Sequence, residues 1–118
     1  MKHGEEASKS GIVRRYAAMF AAMGAEPRLR ILRLLLSAHP EGMVVNEILG
    51  ILDIAASTLS HHLEKLKIHE LITVEREATF LRYRANTKTL QELLSFLYAE
   101  CCTRSKAIKP EQIVTIKE

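Results

Sequence analysis

The stretch Ser57-Thr58-Leu59-Ser60-His61-His62-Leu63-Glu64-Lys65-Leu66 decides how the rest of this chain is interpreted. Its leucines recur at i, i+4 and i+7, which is the spacing of an apolar stripe along one face of a helix. The other face carries hydroxyl and imidazole groups in its first turns, where a helix in the major groove of DNA presents side chains to bases and phosphates. An ordinary amphipathic helix with a solvated polar face has the same pattern, so the neighbouring segments must distinguish the two.

Three further helices are predicted upstream of this stretch. Residues 45–52 form a short apolar segment that a tight break at Asp53-Ile54 joins to residues 57–66, and the pair is typical of a helix-turn-helix. Apolar periodicity also predicts helices over about residues 10–23 and 27–38. The second of these begins with a proline, which is favoured at the first helical position. Because much of its circumference is apolar, we expect it to be the most buried helix.

Downstream of Leu71 the apolar period changes from that of a helix to alternation. Residues 72–76 and 79–85 alternate and are separated by Glu77-Ala78, which predicts a β-hairpin. A last helix is predicted over about residues 89–102. The predicted fold is therefore mainly α with a small β-hairpin: a winged helix-turn-helix of about five helices. We expect residues 1–103 to form this domain and residues 104–118 to be a charged tail with the composition of a mobile segment.

Length and composition limit the class of protein. A chain of 118 residues fits one domain, and 47% hydrophobic with 26% charged residues is the composition of a globular protein. The net charge of +3 permits a nucleic-acid partner without showing one. Two adjacent cysteines cannot link distant parts of the fold by a disulfide. This cysteine usage predicts reduced thiols and a cytoplasmic location. No stretch approaches the roughly 20 apolar residues that a membrane span needs, so we expect no membrane partner.

Together these segments resemble the ArsR/SmtB family of bacterial metal- and metalloid-responsive repressors, over about residues 12–102. Residues 23–32 are similar to the family's opening signature, residues 57–63 to its recognition helix and residues 76–86 to its wing. The resemblance implies a regulator rather than an enzyme: a homodimer, paired through its first and last helices, that binds double-stranded operator DNA and leaves it when an inducer binds. The side chains predicted to contact DNA are Ser57, Thr58, Ser60, His61 and Lys65 on the recognition helix and Arg76, Arg82 and Arg84 on the wing.

Two ligand sets of that family are missing here. Its best-known arsenic site has cysteines just before or at the start of the recognition helix, where this chain has Leu52-Asp53-Ile54. Its zinc sensors use carboxylate and histidine ligands on the last helix, but this sequence has no histidine after His69.

Cys101 and Cys102 are the candidates for soft-ligand chemistry. Adjacent helical residues point about 100° apart, so both sulfurs reach one atom only where the last turn bends or frays. Thiolates suit thiophilic ions. Arsenite offers three exchangeable oxygens, whereas a trivalent methyl- or aryl-arsenical offers two and so matches two thiolates in one chain. We therefore expect no permanently bound cofactor and a trivalent arsenic inducer, arsenite or an organoarsenical such as methylarsenite, held by this pair.

Several other interpretations of the cysteines stay open at this stage. They could be small buried residues at the dimer seam, a redox sensor, or ligands for another soft metal. A vicinal-thiol reductase is the alternative from another class, although the sequence has neither a phosphate-type anion loop nor a Cys-x-x-Cys motif. The pair His61-His62 could suggest a metal, but DNA contact or plain helix surface is favoured because adjacent helical positions diverge.

Overall fold

Five helices and three strands make up the described part of the chain, residues 2–105, in a computed structural model. Their order is α1 (Lys2–Met23), α2 (Glu26–Ser37), β1 (Met43–Val44), α3 (Val45–Ile51), α4 (Ala56–Ile68), β2 (Ile72–Glu77), β3 (Phe80–Ala85) and α5 (Thr87–Tyr98). The chain divides after Asn86 into two compact units, the first holding α1 to β3 and the second holding α5. The predicted winged helix-turn-helix is confirmed. The predicted tail, residues 104–118, lies outside the described residues from position 106 onward.

The element boundaries differ from the predictions mainly at the two ends of the chain. Helix α1 begins at Lys2 rather than near residue 10, since Glu5, Glu6 and Ala7 are compatible with a helix. Helix α5 ends at Tyr98 rather than at residue 102. The residues that follow it include a carboxylate, which opposes the helix dipole at a C-terminus, and cysteines and a threonine, which are weak helix formers.

The core of the first unit is built from one face of each helix. Helix α2 buries Ile31, Leu32 and Leu35 completely or nearly so, but Leu29 and Leu36 remain about two-fifths exposed. Helix α2 is therefore amphipathic, with a single buried stripe. That it is the most buried helix stays a prediction, since α2 and α4 each bury three side chains. Other side chains of the same core are Met19, Ala22, Met43, Ile48, Leu59, Leu63, Leu66, Leu71, Ile72 and Ala85.

Local hydrogen bonds determine where the helix-turn-helix begins and ends. The backbone N–H of Val44 donates to Glu47 Oε1 at 3.0 Å, which satisfies a donor at the start of α3. Helix α4 starts after Ala55, which has no side chain able to cap it. At its other end Glu70 takes a left-handed conformation with φ of 62°, and the N–H of Leu71 donates to the carbonyl of Leu66. The chain thereby turns directly from the recognition helix into the wing.

The wing is part of a three-stranded antiparallel sheet in the order β1-β3-β2. The hairpin was predicted, with its turn now at Ala78-Thr79, but the two-residue strand β1 was not. Across the hairpin Ile72 pairs with Ala85 and Glu75 with Arg82. Because side chains alternate between the faces of a strand, Ile72 and Ala85 lie on the core face and Glu75 and Arg82 on the other.

Gly42 allows strand β1 to reach the sheet. Its φ of +74° is left-handed, and a Cβ at this position would collide with the carbonyl oxygen of Tyr83 and would lie 2.6 Å from Cγ of Arg84. Glycine is therefore required twice over, by backbone conformation and by the close approach of β3.

We expect Gly42→Ala to lower the free energy of unfolding by about 2 kcal/mol or more, because it adds left-handed strain to an overpacked contact. Gly50→Ala is the matched control: Gly50 lies in α3, and beyond its own helical backbone nothing lies within 4 Å of an added Cβ, so this change should stabilise the protein by about 0.5 kcal/mol. Urea unfolding of the three proteins measures both effects. Equal stabilities for the two variants would contradict the role given to Gly42.

Candidate nucleic-acid interface and thiol pair

The outward face of α4 is the first candidate functional surface. Leu59, Leu63 and Leu66 are at most 2% exposed, so they fix which side of the helix meets the core. The predicted DNA-contacting residues of this helix are all exposed, and they are Ser57, Thr58, Ser60, His61 and Lys65. At 100° per residue Ser57, His61 and Lys65 lie roughly opposite the leucine stripe, with Ser60 nearer its edge. The structure brings these polar groups onto one accessible surface, where DNA contact stays a prediction.

His62 differs from its neighbour His61 because it lies at the edge of the core. Its Nδ1 is 3.4 Å from a terminal nitrogen of Arg28, and Nε of Arg28 donates to the carbonyl of Ala22 at 2.6 Å. Burial lowers the pKa of His62, and the nearby charges of Arg28 and His61 lower it further. Neutral His62 can accept the hydrogen bond from Arg28. The vicinal histidines therefore face different surroundings and do not form a metal pair.

Arg28 was not singled out from the sequence, although it joins three helices in space. It starts from α2, bonds the last turn of α1 and reaches the recognition helix through His62. No periodic or compositional signal distinguishes it from the other arginines of α2. Only the packing of the helices shows that this arginine, among several, is half-buried and bonded to two other helices.

Two of the three wing arginines are held by carboxylates of the same hairpin. Nε of Arg82 donates to Glu77 Oε1 at 2.8 Å, and this hydrogen bond raises the pKa of Arg82. Arg84 donates to Glu75 Oε1 at 2.7 Å and to the carbonyl of Pro40 at 3.1 Å. A second carboxylate oxygen, from Glu77, lies 3.7 Å from Arg84. Both arginines were predicted from the sequence as phosphate contacts, but their ion pairs were not.

Arg76 lies on the opposite face of the hairpin. It pairs with Leu81 across the strands, in the same alternation as Ile72 and Ala85. Its side chain is exposed, and it has no ion pair within the described part of the chain. The three wing arginines predicted to act together are therefore divided between two faces, with different charge environments.

Cys101 and Cys102 lie beyond the end of α5, in a series of turns. The N–H of Cys101 donates to the carbonyl of Tyr98, and Cys102 has a left-handed φ of 63°. The two Sγ atoms are 2.8 Å apart, and both residues are half-buried. The prediction that the thiols belong to the last helix is wrong. Leaving the helix is what removes the 100° divergence and lets both sulfurs point to one place.

The surroundings of the thiols keep at least one of them protonated near neutral pH. The hydrogen bond with Cys102 raises the pKa of Cys101, and burial and the charge of Cys102 raise it further. A hollow of about 430 Å³ adjoins Cys102 and is lined also by Glu100, Thr103, Arg104 and Ser105. Among the described residues no group of three or more His, Cys, Asp or Glu side chains could hold a metal ion. Within residues 2–105 the two thiols are therefore a pair of neighbouring sulfur donors that no third side chain of these types joins.

Membrane insertion is not supported by any described helix, since none combines the length and apolarity that a span requires.

Comparisons with known proteins agree with this fold. A family model described as a helix-turn-helix domain matches residues 23–75. An ArsR-like transcriptional regulator from a Rhodococcus species is 26% identical, with a TM-score of 0.67 over 91% of this chain and 99% of that one. HlyU from Vibrio cholerae is 31% identical, with a TM-score of 0.59 over 75% of this chain and 96% of HlyU. No curated protein sequence gives a match.

A third structure supports the fold alone. The homodimeric winged helix-turn-helix domain of a possible ArsR-family regulator from Mycobacterium bovis is 22% identical, with a TM-score of 0.63 over 93% of this chain and 94% of that domain. With its winged-helix architecture, its exposed polar recognition helix and its 31% identity to nearly the whole of HlyU, the chain belongs to the ArsR family of DNA-binding transcriptional regulators.

Proposed function

We propose that this regulator is a cytoplasmic homodimeric repressor that leaves its operator when a trivalent arsenical binds Cys101 and Cys102. The observation that carries the proposal is the 2.8 Å separation of the two Sγ atoms at a half-buried turn. Two neighbouring sulfurs at one turn can chelate a single thiophilic atom once that turn adjusts to the two bonds. An organoarsenical with two exchangeable positions matches this donor set better than arsenite, which has three.

DNA binding is proposed to use α4 in the major groove with the wing beside it. Helix-turn-helix dimers place two recognition helices in half-sites about 34–36 Å apart, one helical turn of DNA. The homodimeric state of the Mycobacterium bovis domain supports a dimer here too. The predicted pairing through α1 and α5 belongs to this proposal. Exposed apolar side chains on these two helices, among them Ile12, Val13, Leu94 and Leu97, are suited to such an interface.

Arsenical capture has a simple balance of atoms. Two thiols replace two hydroxyls on arsenic, so two As–S bonds form, two As–O bonds break and two waters leave. The two thiol protons leave with the waters. The thiolate is the attacking species, so each substitution begins with loss of a thiol proton that is returned to the departing hydroxide.

Release of DNA requires that the thiol site and the recognition helix be coupled. The coupling is reciprocal, so bound operator must weaken arsenical binding by the same factor as the arsenical weakens operator binding. We propose that binding of both sulfurs to one arsenic changes the conformation of the turns after α5 and thereby the dimer interface. A dimer whose recognition helices no longer match the half-site spacing loses one of its two docked helices.

A redox sensor or a sensor of another soft metal is the second candidate, because the same 2.8 Å separation suits oxidation or a thiophilic cation. One solved relative, 29% identical, is described as reduced HlyU from Vibrio cholerae. The reductase alternative is set aside, since the family consists of transcriptional regulators.

Ser60→Ala and His61→Ala should weaken binding to an operator selected from random duplexes with the wild-type protein. A good bidentate base contact is worth about 1–3 kcal/mol, and a single serine contact less. Fluorescence anisotropy at one fixed salt concentration measures the loss, and Ser37→Ala, on α2, is the matched control. Wild-type affinity in both α4 variants would mean that another face of the protein meets the bases.

Cys101→Ser and Cys102→Ser should each bind operator normally yet fail to release it when phenylarsenite is added, because one thiolate cannot close a two-point chelate. Ser37→Ala, a serine-to-alanine change on α2, should respond like the wild type. An operator-release titration reads the effect directly. Release from a variant that lacks both thiols would place the inducer site elsewhere.

Equilibrium affinity for phenylarsenite should be almost constant between about pH 6 and pH 8, because exchange of thiols for As–OH groups yields water and no net proton. The raised pKa of Cys101 keeps its thiol protonated through this window. A divalent soft cation such as Cd²⁺ must displace thiol protons, so its affinity should rise with pH. Isothermal titration at several pH values separates the two. Phenylarsenite binding that strengthens steeply with pH would contradict the exchange scheme.

A further inference from the structure

The outer face of the wing carries equal numbers of positive and negative groups. Arg82 bonds Glu77 at 2.8 Å and Arg84 bonds Glu75 at 2.7 Å, with a further approach of 3.7 Å between Arg84 and Glu77. The register places these four side chains together, since Glu75 lies opposite Arg82 and Glu77 is two residues farther along the same face. The wing therefore does not present two free positive charges on this face.

Free arginines would act on any DNA. The attraction between a protein cation and the phosphate backbone does not depend on sequence, and it supplies nearly all of non-specific binding. An arginine already paired with a carboxylate adds little to this attraction until a phosphate displaces that carboxylate. The pairs are accessible enough for displacement: the arginine side chains are 26% and 30% exposed and the carboxylates 41% and 61%.

The backbone also holds one of the arginines in position. Nε of Arg84 donates to the carbonyl of Pro40, so its guanidinium stays at the wing whether or not Glu75 is bound to it. Arg76, on the other face, keeps its charge free of any ion pair among the described residues and can contribute to DNA attraction at all times.

We propose that Glu75 and Glu77 compete with DNA phosphates for Arg82 and Arg84 and so suppress binding to non-operator DNA. The inference rests on the proposed contact of the wing with DNA. Each of these arginines can bind either its carboxylate or a DNA phosphate. It exchanges the carboxylate for the phosphate fully only where the docked recognition helix holds that phosphate beside it.

The test measures binding of the full chain to a labelled duplex of arbitrary sequence from about 50 to about 200 mM salt, the range over which backbone contacts show their salt dependence. Glu75→Gln/Glu77→Gln should bind this duplex about twofold to tenfold more tightly than the wild type. Its log–log salt slope should steepen by about 0.9 for each arginine that gains a phosphate. Operator affinity should rise as well, because each arginine no longer has to leave a carboxylate before it reaches a phosphate.

The matched control is Glu41→Gln/Glu92→Gln, which removes the same charge from two positions without an ion pair in the described residues. It should change affinity only slightly and leave the salt slope unchanged. Adding Arg82→Ala/Arg84→Ala to the Glu75→Gln/Glu77→Gln variant should abolish the gain, because neither arginine is then left to bind a phosphate. Single Glu75→Gln gives a smaller step in the same direction and disturbs the hairpin least.

The outcomes separate this inference from the function on which it rests. Equal changes in the carboxylate variant and the charge control would overturn the inference, and so would a gain that survives the loss of both arginines. Those results leave DNA binding by the wild type intact. Absence of salt-dependent binding in the wild type itself would instead contradict the proposed contact with DNA.

Discussion

Burial of three leucines on one side of α4 is the constraint on which the rest of the structure depends. Leu59, Leu63 and Leu66 are removed from water almost completely, and each fully buried leucine stabilises the fold by about 1.5–3 kcal/mol. Because they occupy a single stripe, the helix has one allowed rotation about its axis. Its serines and His61 must then face solvent. The functional surface is thus a consequence of core packing, and the same side chains could not face inward without leaving polar groups unpaired.

Charge on this protein is arranged to be available in some places and cancelled in others. The net charge of +3 does not show how the charges are distributed. On the wing Arg82 and Arg84 are paired with carboxylates, whereas Arg76 has no ion pair among the described residues. Arg28 is used differently again, since it bonds the end of α1 and the inner histidine of the recognition helix. A count of basic residues therefore says little about attraction to DNA. The partners of each arginine decide whether its charge is available for a ligand.

The position of the thiol pair beyond the end of α5 allows an arrangement of the two sulfurs that the interior of a helix does not. Within a helix Cys101 and Cys102 would diverge by about 100°. Beyond Tyr98 the chain passes through turns, and a left-handed Cys102 brings the sulfurs within 2.8 Å of each other. Left-handed backbone costs a non-glycine residue roughly 1–2 kcal/mol, and such strain is typical of functional sites. The geometry brings two sulfur donors together, and the proposal of an arsenical inducer rests on that number of donors.

The sequence alone determined the elements with strong local periodicity. The leucine stripe of α4, the apolar segment before it and the alternation in the hairpin each follow from spacing, so the winged helix-turn-helix and the exposed residues of the recognition helix were predictable. Tertiary structure alone decided the features made by residues distant in sequence or by weak local preferences. Strand β1 exists because Gly42 fits against Tyr83. Arg28 meets His62 across 34 positions, and the carboxylate partners of Arg82 and Arg84 depend on strand register. The end of α5 was not predicted because each residue after Tyr98 disfavours the helix only weakly. Cysteine and threonine are weak helix formers, and a glutamate opposes the helix dipole at the C-terminus. No periodic pattern in the sequence shows where these small free energies together end the helix.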